Sequence, residues 1–127
     1  MREAVNGIII QDNRLLLVKK RQTWIFPGGK PTEGESDERC LIREFREELP
    51  SSRVSNPRFY DVFCGKTPHV GDTLEARAYF LDFSGEVTPS SEISDAKWFE
   101  LSEIGEYLIS DISLKIIDSL KRGGYLK

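Results

Sequence analysis

Glu44, Glu47 and Glu48 fall at i, i+3 and i+4 in the stretch GGKPTEGESDERCLIREFREEL, which runs from Gly28 to Leu49. On a helix those positions project from one side, within reach of one another. Like charges so spaced repel by about 0.2–0.5 kcal/mol per pair, so a compensating partner is expected. A hard divalent cation with oxygen ligands is the natural one, and its chemistry would be the activation of water. Just upstream stands Pro27-Gly28-Gly29. Proline fixes φ there, and the two glycines permit backbone conformations closed to other residues, so carbonyls can turn toward a ligand.

The element that must position the carboxylates is a helix. Ser36 is a suitable N-cap, and Asp37 and Glu38 follow in the first turn, where the helix dipole favours negative charge. Leu41, Phe45 and Leu49 recur at i, i+4 and i+8 with Ile42 beside them, giving one apolar stripe. Pro50 ends the helix and forces Leu49 out of the α region. Three glutamates on a helix are ordinarily a solvated face. What sets this face apart is its register with Arg43, Glu35 and the glycine turn.

That register resembles the signature of the Nudix family, GX5EX7REUXEEXGU, where U is a bulky apolar residue. Gly29 takes the first glycine and Glu35 the isolated glutamate; Arg43, Glu44, Glu47 and Glu48 fill the core, with Phe45 at U. At roughly one chance in fifteen per letter, six fixed letters in register arise about once in ten million starts. Pro50 and Ser51 depart from the pattern at the helix exit, so a locally different exit with an intact carboxylate face is expected. The resemblance implies an α/β fold, an α/β/α sandwich around a mixed β-sheet, spanning residues 1–127 as one domain. It implies a Mg2+-dependent pyrophosphohydrolase, with Mn2+ able to substitute, acting on a nucleoside diphosphate linked to another group X. Glu44, Glu47 and Glu48 would hold the metal, joined by a carbonyl of Gly28 or Gly29, while Glu35 and Arg43 form a supporting ion pair. Late in the chain, the glutamate six residues before Trp98 is Glu92, which the resemblance makes a metal ligand or water-orienting group; Glu86 and Asp95 are its substitutes. The general base stays open among Glu44, Glu47 and Glu92.

Composition bounds the rest. A chain of 127 residues with 39% apolar content suffices for one core. Its net charge of −3 leaves no basic surplus for a general nucleic-acid binder. The partner that the resemblance implies is a small nucleotide. Nucleoside triphosphates and ADP-ribose both fit; a non-catalytic nucleotide sensor and an RNA 5′-end pyrophosphohydrolase are the alternatives. Cys40 and Cys64 are too few for a disulfide framework and read as two reduced, buried thiols. With no secretory pattern and no apolar run of membrane-spanning length, a cytoplasmic monomer or homodimer is expected.

Along the chain, residues 4–10 and 15–18 read as two buried strands joined by a hairpin turn at Gln11-Asp12-Asn13-Arg14. Lys19, Lys20 and Arg21 close the second strand. Among them Arg21 is the candidate substrate contact, with Lys30 a second cation for phosphate. Trp24 has two readings: a stacking platform for a base, or a core aromatic. Residues 53–64 and 73–83 read as long strands around a turn-rich loop bearing His69 and Pro68. His69 reads as a surface histidine; Pro68 lies seventeen residues beyond Ser51, near where the resemblance places a proline in family members that act on ADP-ribose. Ala96 to Leu101 read as a further strand, and Leu101–Leu108 and Ile112–Leu120 as a short and a longer helix, with Ser110 and Asp111 as caps and Gly123-Gly124 as the end.

Overall fold

A computed structural model describes residues 2–67 and 72–127. Pro68 and His69 lie outside the described residues. Strand β1 (Arg2–Ile8) is followed, after Ile9, by the short β2 (Ile10–Gln11) and then by β3 (Arg14–Lys20) and β4 (Thr23–Ile25). Next come β5 (Gly28–Gly29), helix α1 (Asp37–Glu48), the long strands β6 (Ser52–Lys66) and β7 (Thr73–Gly85), and β8 (Ile93–Phe99). A 3₁₀ helix (Leu101–Glu106) leads to helix α2 (Asp111–Arg122). One four-stranded sheet has the order β5-β1-β7-β6, and a second places β3 between β2, β4 and β8. The β1–β7 pair is parallel and the other pairs are antiparallel, so the sheet is mixed.

The expected hairpin turn is present, with Asp12 and Asn13 at φ of 51° and 58° as a two-residue turn of this hand requires. Its reach is shorter than the sequence suggested. The turn joins only β2 to β3, while β1 belongs to the other sheet and pairs with β5 and β7. The chain changes sheets at Ile9, whose carbonyl still accepts a bond from the Leu16 N–H at 3.1 Å. A continuous apolar run such as GIII looks the same whether or not it switches partners, which is why this break is silent in the sequence.

Strand alternation sorts the apolar side chains onto two faces. Leu15, Leu17, Ala76 and Ala78 point toward α2, where they meet Ile112, Ile116, Ile117 and Leu120. Val5, Leu16, Val18 and Leu81 point the other way and meet Cys40, Leu41, Phe45 and Leu49 of α1. The result is the expected α/β/α sandwich. The Leu101–Leu108 segment forms a 3₁₀ turn rather than an α-helix, closed by reciprocal bonds between Glu100 and Glu103. Cys40 is buried as expected, but Cys64 is exposed on β6, and both thiols are free. No helix among the described residues is long and apolar enough to cross a membrane.

A cross-strand clamp fixes the start of α1. Ser36 caps the helix through the Arg39 N–H. Asp37, read above only as a dipole residue, is also gripped by Arg77 of β7, with Nε–Oδ2 at 2.8 Å and Nη2–Oδ1 at 2.9 Å, and by the Tyr79 hydroxyl at 2.6 Å. These bonds, Arg77 first, hold the Asp37 carboxyl below its ordinary range. A lowered folded-state value adds stability above the ordinary carboxylate pKa, and that stability is lost as pH falls through the folded value. Asp37→Asn is expected to cost about 1.5–3 kcal/mol at pH 7 and to flatten the acid limb of stability against pH, measured by urea unfolding from pH 2 to 7.

Candidate active site

The glycine turn and the last turns of α1 meet at close range, for two different reasons. Gly28 has φ of 142°, and a Cβ there would stand 2.1 Å from the Val5 carbonyl oxygen, so backbone packing alone demands glycine. Gly29 has no such backbone conflict. A Cβ on it would stand 2.5 Å from the carboxylate of Glu44, so this glycine keeps a berth for that side chain. Glu44 and Glu48 both face the turn, so the proline exit leaves the carboxylate face intact; Leu49 takes φ −135°, ψ 69°, outside the helical region.

Each carboxylate has a distinct environment. Glu48 is only 5% exposed and takes the Gly28 N–H on Oε1 at 3.2 Å, while its Oε2 accepts no bond among the described residues. Burial raises its pKa to about 8, against the opposing pull of the Gly28 N–H. Gly28 thus serves the site through its N–H. Glu44 is half-buried, and desolvation raises its pKa, opposed by Arg43. Glu47 is exposed, 3.7 Å from the Arg43 guanidinium.

Arg43 organises this group. It binds Glu35 through Nε–Oε2 and Nη2–Oε1, both at 2.9 Å, reaches Glu44 Oε1 at 2.9 Å, and donates to the Lys30 carbonyl at 3.1 Å. The hydrogen bonds of Arg43 and the Thr32 N–H lower the Glu35 pKa to about 2. The loop between turn and helix is therefore tied to the helix by one guanidinium. The same bonds turn Glu44 toward Arg43, and among the described residues no three acidic, histidine or cysteine side chains are gathered closely enough to hold an ion. The donor set nonetheless suits a hard divalent cation. It offers a buried carboxylate with an unused oxygen, a second carboxylate berthed on Gly29, and the carbonyl of Gly29, which stands opposite Val5 in the β1–β5 pair and also takes the weak Cys40 thiol donor at 3.6 Å.

A pocket of about 260 Å³ adjoins the turn. Lys20, Arg21 and Lys66 supply its positive charge; Ile25, Leu74 and Ile112 form apolar walls; Asn6, Ser110 and Ser113 add polar groups. Gly28 and Gly29 line it too, so the turn borders both the pocket and the carboxylates. Arg21 lines the pocket, in a left-handed turn with φ of 59°. Lys30 is exposed and does not line it. Trp24 is corrected: its ring is 5% exposed and packs edge-on against Phe99 at 5.0 Å and Tyr107 at 5.9 Å, leaving no face for a base. Glu92 is also placed differently. Its exposed carboxylate pairs with Lys20 Nζ at 2.9 Å, not with the α1 glutamates. The Asp95 carboxylate takes its own neighbour's N–H at 2.8 Å, and Glu86 borders a separate cleft with Gln11 and Trp98. Sequence reasoning missed Asn6, Lys66 and Ser113, single polar residues with no periodic signal.

Comparison with known proteins settles the family: the NUDIX domain model matches residues 1–120. The chain belongs to the Nudix family. It is 26% identical over 129 residues to the uncharacterized Nudix hydrolase YvcI of Bacillus subtilis, covering 97% of this chain and 81% of that one. It is 26% identical over 110 residues to the ADP-ribose pyrophosphatase of Methanocaldococcus jannaschii, covering 80% of this chain and 63% of the relative. The fold matches the crystal structure of a MutT Nudix hydrolase from Burkholderia pseudomallei with a TM-score of 0.77 at 25% identity, over 92% of this chain and 95% of that one. As a Nudix hydrolase the chain acts on phosphoric anhydrides of nucleotide derivatives.

Proposed function

We propose that the protein is a Mg2+-dependent pyrophosphohydrolase whose substrates are nucleoside triphosphates. The observation that carries this reading is the placement of the glycine turn, which borders both a cationic pocket and the Glu44 and Glu48 carboxylates. A substrate seated in the pocket would lay its phosphates across the turn. Lys20, Arg21 and Lys66 would neutralise part of their charge, with Lys30 near the turn as a further cation. Glu44 and Glu48 would hold the metal with the Gly29 carbonyl, and Glu47 would share ligation from the exposed side. The chemistry a bound Mg2+ supplies is charge neutralisation on the phosphates and a more acidic water. Glu44 or Glu47 would take the proton of the attacking water, since the exposed Glu92 carboxylate lies against Lys20 and not beside the α1 glutamates. Glu35 and Arg43 position the loop, and Arg43 holds Glu44 at hand in the absence of metal.

ADP-ribose is the second reading, supported by the resemblance to the Methanocaldococcus jannaschii enzyme. The test is phosphate and pyrophosphate release from nucleoside triphosphates, oxidised nucleoside triphosphates, ADP-ribose and dinucleoside polyphosphates, each with Mg2+, Mn2+ or chelator. Metal-dependent release of pyrophosphate from a nucleoside triphosphate is expected. Binding of these compounds with metal but without turnover would overturn the hydrolytic reading in favour of a sensor. Activity confined to 5′-triphosphorylated RNA, steeply weakened by salt, would replace it with the RNA reading.

A further inference from the structure

Strand β6 is the outer strand of its sheet, and among the described residues no strand pairs with its free side. Bulges at Ser55/Arg58 and Phe59/Asp61 twist its first half, a common way of blunting such an edge. From Asp61 to Lys66 it runs in regular register with β7. Backbone groups along such a stretch alternate between the neighbouring strand and the open side. The Thr67 N–H continues the register by donating to the Asp72 carbonyl at 2.8 Å, so Gly65, Phe63 and Asp61 address β7 while Val62 and Cys64 address the open side. Two contacts agree. The Val62 N–H donates to the carboxylate of its own neighbour Asp61 at 2.8 Å, and the Cys64 carbonyl accepts from Lys115 Nζ of α2 at 2.8 Å. One open donor is thus covered by an acid and one open acceptor by a base. On the α1 face, Phe59 is 56% exposed and Val62 39%, and with the exposed Cys64 they make an apolar stripe along the edge.

We propose that this edge is a homodimer interface, in which Asp61–Lys66 pairs antiparallel with the same segment of a second copy about a two-fold axis at Phe63. Such an axis stands perpendicular to the sheet and keeps each face on its own side, so opposed residues must face the same way. Centred on Phe63, the pairing sets Val62 against Cys64 of the partner subunit. Both address the open side, so the two exchange N–H···O=C bonds in both directions. The covering side chains then find each other. As the Val62 N–H meets the carbonyl of Cys64 of the partner subunit, Asp61 and Lys115 of the partner subunit are freed at one place. Asp61 stands opposite Ala78, on the face that α2 covers, so the acid and the base are on the same face and form an ion pair across the seam. The two-fold axis repeats the pair. Apolar groups meet as well, Val62 with Cys64 of the partner subunit on the α1 face and Phe63 with Phe63 of the partner subunit on the other. Centring on Cys64 would instead oppose Val62 to Lys66 of the partner subunit and leave the charges apart. The bulges confine pairing to this short stretch, so the interface is small and the dimer reversible rather than obligate.

Sedimentation velocity on the full chain in reductant, from micromolar to millimolar concentration, reads the equilibrium between monomer and dimer. The wild type is expected to shift toward dimer as concentration rises, and less so in high salt, which screens the ion pairs at the seam. Val62→Lys, a change at an exposed position, should raise the dissociation constant ten-fold or more. Asp61→Lys should weaken the dimer to a similar degree by setting two lysines together. Adding Lys115→Asp should bring the dissociation constant back to within about three-fold of the wild type, a recovery that damage to folding cannot produce. Mild oxidation reads the register. Hydrogen-bonded antiparallel partners lie about 5.5 Å apart between Cα atoms, within disulfide range, so Val62→Cys should crosslink to Cys64 of the partner subunit. The wild type should not crosslink. A chain that stays monomeric at every concentration overturns the proposal and leaves Lys115 as a guard of the edge. So does a dimer indifferent to Val62→Lys, a double variant no tighter than Asp61→Lys, or wild-type crosslinking through Cys64, which would place the axis elsewhere.

Discussion

Glu48→Gln is expected to lower kcat/KM by at least a hundred-fold in Mg2+ while making the metal-free protein more stable. Both effects have one cause. The Glu48 carboxylate is buried at the end of α1 with a single N–H donor, and burial raises its pKa to about 8. Glutamine keeps an oxygen for the Gly28 N–H but carries no charge to desolvate. An acid whose folded pKa is raised binds its proton more tightly when folded, so its ionisation costs stability as pH climbs from the ordinary carboxylate value toward 8. At pH 7 the gain on substitution is expected to be about 2–3 kcal/mol. Urea unfolding in chelator, run at pH 5 and pH 8, checks it: the two proteins should converge at pH 5 and separate at pH 8. A variant less stable than wild type at pH 8 would mean that the carboxylate is not under strain there.

The second large effect separates two neighbouring residues. Gly28→Ala is expected to cost about 3 kcal/mol or more, because its φ of 142° and the Val5 carbonyl leave no place for a Cβ. Gly29→Ala is expected to fold with a loss of about 1 kcal/mol or less, since the atom in the way is the mobile end of Glu44. The side chain can swing aside, and in doing so it leaves the turn. Gly29→Ala should therefore lose ten-fold or more in kcat/KM and in metal affinity with nearly unchanged Tm. A matching collapse of Tm in both variants would refute the distinction.

What the sequence disclosed about this site was local. Helix α1, its Ser36 cap and its carboxylate face could be read because their determinants lie within a few residues of each other. The Asp12-Asn13 turn was legible on the same ground. Pairings across long separations were not. Trp24 finds Phe99 and Tyr107, Lys20 finds Glu92, and Asp37 finds Arg77, each far along the chain. Arg77 did carry a signal: a charged residue between Ala76 and Ala78 in an alternating strand must meet a partner on its half-buried face. Asn6 carried none, being one neutral residue in an apolar run.

The exit of α1 also bears on the order in which the protein assembles. The Glu48 carbonyl at the end of the helix is satisfied by the Ser90 N–H at 2.9 Å, and the Glu48 side chain by the Gly28 N–H at 3.2 Å. One partner precedes the helix and the other arrives only after the long β6–β7 pair has been traversed. Closing such loops is slow compared with winding a helix. In refolding, helical ellipticity should recover first, and the capacity to bind metal should lag behind it until the segment around Ser90 has docked.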